Sequence, residues 1–155
     1  MISMFGIISV VVALISIAII VLHNRVMIKR APVDTYSAAL EDLLRQRIEV
    51  LIHACRIDTE LYALCHKCVD LDLYAMAEAL PDIDRACVMD LHEEDDDTEE
   101  YAPVDWEWLT DNSQAIEENA AALNQAIEEY NNLVTGSIAG RMMALILGMT
   151  AEEPL

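Results

Sequence analysis

The chain has 155 residues, with 9 Lys or Arg against 28 Asp or Glu, for a formal charge of −19 at neutral pH. That length leaves room for one domain with an appendage and excludes enzymes built from separate cofactor and substrate lobes, and the charge repels phosphate backbones, which excludes a general nucleic-acid binder. With 55% hydrophobic residues and only 4 Gly and 4 Pro, the composition excludes disorder over most of the chain and a β-sandwich rich in glycine turns, and it predicts an all-α fold.

From Met1 to Leu22 no residue is charged, and Phe5 to Leu22 is dominated by Ile, Val, Ala and Leu. A bilayer needs about 20 apolar residues at a rise of about 1.5 Å each. Residues 1–23 are therefore predicted to be a transmembrane anchor, with the lipid bilayer as the partner of residues 1–22. A cleavable signal would carry a basic leader, a shorter apolar stretch and small residues before the cleavage point. Here the leader is Met1-Ile2-Ser3, and the run exits into His23-Asn24-Arg25. No Lys or Arg precedes the run, whereas Arg25, Lys29, Arg30, Arg45 and Arg47 follow it. The positive-inside rule then predicts a single-pass protein of a bacterial-type inner membrane, with its N-terminus outside and its C-terminal domain cytoplasmic.

Residues 24–33 read as a basic juxtamembrane connector. Pro32 disfavours helix at Ala31, and Asp34 is a good N-cap, so a break is expected at Ala31–Asp34 with a helix restarting near Thr35. Apolar residues then fall at Leu40, Leu44, Ile48, Leu51, Cys55, Tyr62, Cys65, Val69, Leu73, Met76 and Leu80. Their spacing of mostly three or four predicts one helical stripe, either continuous over about 70 Å or folded back near Arg56–Glu60, and ended by Pro81. Residues 34–155 as a whole are expected to form an antiparallel bundle of long helices.

The period disappears after Asp82, and Glu93 to Glu100 holds seven acids in eight positions. This predicts a solvated acidic loop near residues 92–103. An EF-hand would need spaced ligands and a Gly at its sixth position, neither of which is present. Leu109, Ile116, Ala120, Leu123, Ile127, Tyr130 and Val134 then make a near-heptad seam that needs a partner, with Glu117, Glu118, Glu128 and Glu129 outside it. Trp106 and Trp108 at its start are expected to pack. The last apolar stretch, Leu133–Met149, contains Arg141 and is short for a span. It is expected to be a terminal helix whose small face, Gly136 to Gly140, packs on the bundle, with Ile138, Met142, Leu145 and Met149 against the Leu40–Leu51 stripe and Gly148 as its cap.

Cys65-His66-Lys67-Cys68 is a CxxC, the spacing of redox pairs and of half a zinc site. It sits within a helical stripe with no strand beside it, Val69 stands where haem attachment needs His, and a second close pair is missing. The cysteines are therefore read as small core residues, with no metal site and no cofactor expected. Cys65, Cys68, Cys87 and His92 are the candidates from which a metal site would draw. No GxSxG, GxxxxGK[ST], GxGxxG or HExxH occurs, so no catalytic residue is assigned and no enzyme is expected.

The stretch Ile116 to Asn131, a Glu-rich helix ending in Tyr130-Asn131, followed by an Ala- and Gly-containing segment through Ala144 and Gly148 to Pro154, resembles the end of LemA family proteins. The N-terminal layout is similar, with an anchor, then His23-Asn24 where the family has Tyr-Asn, then the Arg- and Leu-rich run Leu40 to Arg47. Where the family has a Pro-containing turn and an aromatic-Pro pair, this chain reads Glu49–His53 and Gly136–Gly140. The resemblance implies a membrane-anchored bundle of long helices with no catalytic residues to carry over. The expected function is thus a membrane-anchored helical scaffold or protein-interaction module, whose partners are proteins, a second copy of the chain among them. The alternative is a metal-binding or thiol redox-sensing module using Cys65 and Cys68.

Overall fold

A computed structural model of the chain describes residues 4–55, 59–92 and 105–155. Its elements in chain order are α1 (Met4–Ala54), α2 (Glu60–Cys68), α3 (Leu73–His92), α4 (Trp106–Thr135) and α5 (Ile138–Leu147). No strand occurs among the described residues, so the chain is all-α as its composition implies. It divides into two compact units, one made of residues 1–35 and 123–154, the other essentially of residues 36–122. The predicted acidic loop near residues 92–103 lies, from residue 93 onward, outside the described residues.

In the first unit, Met4 to Val21 are exposed on all sides, apart from a half-buried Gly6. α1 is the one helix of at least 18 residues among those described that is long and apolar enough to cross a membrane, a test that a signal sequence also passes. Protein covers α1 only from Leu22 and His23 onward. There Val26 and Val33 are buried together with Leu123, Ile127, Tyr130 and Val134 of α4. The apolar run and the covered stripe thus meet at the position where charge first appears in the sequence.

The expected break at Ala31–Asp34 is absent, because α1 runs through Pro32 without interruption. Residues 24–33 are accordingly helix and not a separate connector. An interior Pro removes one backbone hydrogen bond and costs about 3 kcal/mol. Burial of Val26 and Val33 on either side of Pro32 outweighs local propensity, and the residue whose carbonyl loses its donor, Ile28, is exposed to water. Pro81 likewise lies inside α3 and does not end it. Leu73 and Met76 before it and Ile83, Ala86 and Cys87 after it are all buried, so the same core holds the helix on both sides of the ring.

In the second unit the core is Leu40, Leu44, Ile48, Leu51, Leu61, Met76, Ile83, Leu109 and Ile116. The stripe does fold back where it falters: α1 ends at Ala54, and Thr59 caps α2, its hydroxyl accepting from the Tyr62 N–H at 3.2 Å. A second break was not expected. α2 stops at Cys68, and Asp72 opens α3, its carboxylate accepting from the Ala75 N–H at 2.9 Å. Arg45 holds this turn by donating to the Val69 carbonyl at 2.9 Å while pairing with Glu41 at 2.8 Å, a cation placed at a helix C-terminus where it favours the dipole. The stripe shifts across the two breaks: Leu61 is buried in place of Tyr62 after the first, and Val69 is exposed at the second.

The seam of α4 is buried as its spacing implies, except that Ala120 is half-buried. Asp105 caps the helix by accepting from the Trp108 N–H at 2.9 Å. Trp106 is exposed and Trp108 half-buried, so the expected packing of the pair holds only in part.

Candidate functional site

Three places carry unusual chemistry, and the first is the C-terminal end of the first unit. Tyr130 is fully buried, and its hydroxyl donates to the Thr150 carbonyl at 3.2 Å. Asn131 accepts from the Glu152 N–H at 2.9 Å and donates to the Glu152 carbonyl at 2.8 Å, so its amide pairs with that residue as a neighbouring strand would. Arg30 of α1 reaches the same Glu152 at 3.6 Å, and Lys29 pairs with Glu129 at 2.7 Å. The Tyr-Asn pair is therefore a clamp on the chain end. Burial pushes the Tyr130 phenol up, with Glu152 and Asp34 adding to the effect and Arg30 opposing it. The Lys29 ammonium, with help from Gln125, holds the Glu129 carboxyl below its usual range.

α5 is tied to the same end. Ser137 caps it by accepting from the Gly140 N–H at 2.9 Å, and Gly148 closes it in the left-handed conformation at φ 65°, as expected for that glycine. Arg141, awkward for a spanning segment, donates to the Thr135 carbonyl at 2.7 Å and so caps α4. The expected packing of Ile138, Met142 and Leu145 on the Leu40–Leu51 stripe is contradicted, since all three are exposed. What packs is the glycine side: a Cβ at Gly140 would run into the Leu133 carbonyl. Gly140→Ala should therefore push α5 off α4 at a cost of about 1–3 kcal/mol. Limited proteolysis would read this as faster cleavage between Thr135 and Thr150, and an unchanged rate would remove the argument.

The second place is the cysteine set of the second unit. Cys55, Cys65, Cys68 and Cys87 are all buried, and no disulfide joins them. Among the described residues no three His, Cys, Asp or Glu are arranged to hold a metal. Of the four candidates, Cys65, Cys68 and Cys87 are core residues, while the His92 side chain lies outside the described set. Burial first, and the neighbouring Cys55, Cys68 and Cys87 second, push the Cys65 thiol from 9.0 up to about 12 against the pull of Arg47. Burial also raises Cys68, against Lys67. The thiolate is the nucleophile and metal ligand, so these thiols are held in their inert form.

The sign of the resulting pH dependence follows. In the unfolded chain Cys65 ionises near 9.0, but in the folded chain only near 12, so its contribution to stability is complete below the lower value and is lost as pH rises between the two. Native protein at neutral pH should alkylate much more slowly than denatured protein, and urea midpoints should fall across that alkaline window. Alkylation at the rate of an exposed cysteine would contradict the assignment.

The third place was not legible in the sequence. Arg47, only 5% exposed, donates to Asp84 at 2.6 Å, to the Leu109 carbonyl at 3.1 Å, to Asn112 at 3.3 Å and to Ser113 at 3.0 Å. Asn112, also buried, donates to the Leu43 carbonyl at 3.4 Å. The sequence shows Arg47 only as one of five basic residues after the apolar run. Its place on the buried side follows from the helical register with Leu40, Leu44 and Leu51. Elsewhere in the second unit, α2 and α3 enclose an open groove of about 280 Å³ lined by Glu60, Leu64, Asp82, Arg85, Ala86 and Met89. Val88 and Met89 stand exposed along α3.

Set against known proteins, the chain matches no family model, no curated protein and no solved structure.

Proposed function

We propose that the protein is a membrane-anchored helical interaction module: Met4–Val21 of α1 spans a bilayer, and the rest of the chain is held at the cytoplasmic surface to bind protein partners. The observation that carries this reading is the run of exposed apolar residues from Met4 to Val21, which continues without a break into a helix covered by protein from Leu22 onward. Eighteen residues of helix span about 27 Å, close to the hydrocarbon thickness of about 30 Å. Exposing that much apolar surface to water is disfavoured at roughly 25 cal/mol per Å². The basic residues Arg25, Lys29 and Arg30 lie just beyond the run, which favours a cytoplasmic body.

An antiparallel pairing of α1 with α4 belongs to the same reading. What supports it is the order of contacts within the second unit: Leu43 bonds to Asn112, whereas Arg47 bonds to Leu109. Numbers fall along one helix as they rise along the other. A plan of anchor followed by paired long helices is that of the LemA family, which the Tyr130-Asn131 region resembles, and we keep that kinship as part of the proposal. The thiol-sensor alternative is disfavoured by the burial of Cys65 and Cys68.

For partner binding, the groove between α2 and α3 is the surface to test. Crosslinking in membranes followed by capture of the full chain should yield a partner that is lost with Val88→Glu and Met89→Glu together. Both positions are exposed, so the fold should survive the change. Equal yields from the native and substituted chains would remove the groove from the proposal. Protease added outside intact cells should spare everything after Arg25, and its digestion there would reverse the orientation.

A further inference from the structure

α5 presents Ile138, Met142, Leu145 and Ile146 at 80%, 61%, 85% and 60% exposure. These positions follow a helical spacing of four, three and one, so they share one face. The other side of the helix is committed. Gly140 lies against the Leu133 carbonyl, Ser137 caps the first turn and Arg141 caps α4. The helix is held at both ends, by its short link to Thr135 and by the Tyr130 and Asn131 bonds to Thr150 and Glu152. An exposed face of four large apolar side chains on a helix fixed so firmly is a surface kept for something apolar.

We propose that this face lies in the boundary layer of the same bilayer that α1 crosses, as a peripheral foot beside the span. The proposal rests on the reading of Met4–Val21 as the spanning segment. Proximity selects the occupant. Glu152, four residues beyond the Gly148 cap of α5, is held by Arg30 of α1. Arg30 stands nine residues after Val21, about 13 Å along the helix, and α5 itself is about 15 Å long. The apolar face is thus tethered within its own length of the level at which α1 enters lipid, and in an antiparallel pair α4 ends on the membrane side. Arg25 lies between Val21 and Arg30 and is exposed, a cation at headgroup level suited to anionic lipid. An apolar helix face with a cation near headgroup level suits a helix lying in the interface plane.

Trp fluorescence of the full chain in phosphatidylcholine–phosphatidylglycerol vesicles tests this, with the unsubstituted chain subtracting Trp106 and Trp108. The emission added by Leu145→Trp should be largely lost to phosphatidylcholine brominated near the headgroup and unaffected by aqueous iodide. Quenching by iodide and not by brominated lipid would place the face in water and overturn the proposal. Protection from both would mean a protein covers it, a second copy being the first candidate, and would overturn it equally. Val12→Trp separates the two readings. If lipid brominated deep in the chains quenches Val12→Trp but no brominated lipid quenches Leu145→Trp, only the foot is lost. If Val12→Trp is not quenched, the span fails and the foot with it.

Discussion

Arg47→Ala should lower the stability of the second unit by about 2–4 kcal/mol, the largest effect expected of any single substitution outside the apolar run. The guanidinium is buried and divides its donors among Asp84, the Leu109 carbonyl, Asn112 and Ser113. Removing it leaves the buried Asn112 amide oxygen without its donor, while the Leu109 carbonyl keeps only the Ser113 hydroxyl beyond its helix, and an unmade buried hydrogen bond costs more than a made one contributes. The share due to Asp84 is discounted, because its side chain is 44% exposed and can return to water. Arg47→Lys should recover little, since a point ammonium cannot serve four acceptors that a planar fork reaches. Thermal unfolding of the full chain in detergent, followed by circular dichroism, would check both substitutions. A loss under about 0.5 kcal/mol for Arg47→Ala would mean the network is dispensable, as ordinary surface positions are.

The second large effect belongs to the apolar run. Val12 and Ile15 lie near its middle, exposed and three residues apart on one side of α1. A charged residue at the centre of a spanning helix costs about 2.5–3.5 kcal/mol in insertion, so Val12→Arg with Ile15→Arg should cost about 5–7 kcal/mol and move most of the protein out of the membrane fraction. Neither side chain touches the protein-covered part of α1, so the helices from Tyr36 onward should keep their unfolding transition. A doubly substituted chain that still sediments with membranes would mean that something other than this run holds the protein there.

Much of this organisation was legible in the sequence, and the parts that were not share a cause. The apolar run, the α4 seam and the turn after Ala54 are written in periodicity, which records burial directly. Pro32 and Pro81 misled because local propensity is weak against core residues lying on both sides of each ring. The Cys68–Leu73 turn was hidden because its signals are distributed: Asp72 caps one helix, while Arg45, 24 residues before Val69 in the part of α1 that belongs to the second unit, caps the other. Arg47 escaped for the same reason, its partners lying 37 to 66 residues downstream. α5 misled in the opposite direction. Its apolar spacing implied a protein partner, whereas its packing side is the glycine side, where Gly140 meets the Leu133 carbonyl. Periodicity says that a face is covered and is silent on whether protein or lipid covers it.

The central claim is that Met4–Val21 is a retained membrane span, and alkaline carbonate extraction of membranes carrying the native chain, with the intact mass of the recovered protein, addresses it in one measurement. The chain should stay in the pellet at its full 17.3 kDa. Release into the supernatant, or recovery of a chain shortened by the apolar run, would contradict it.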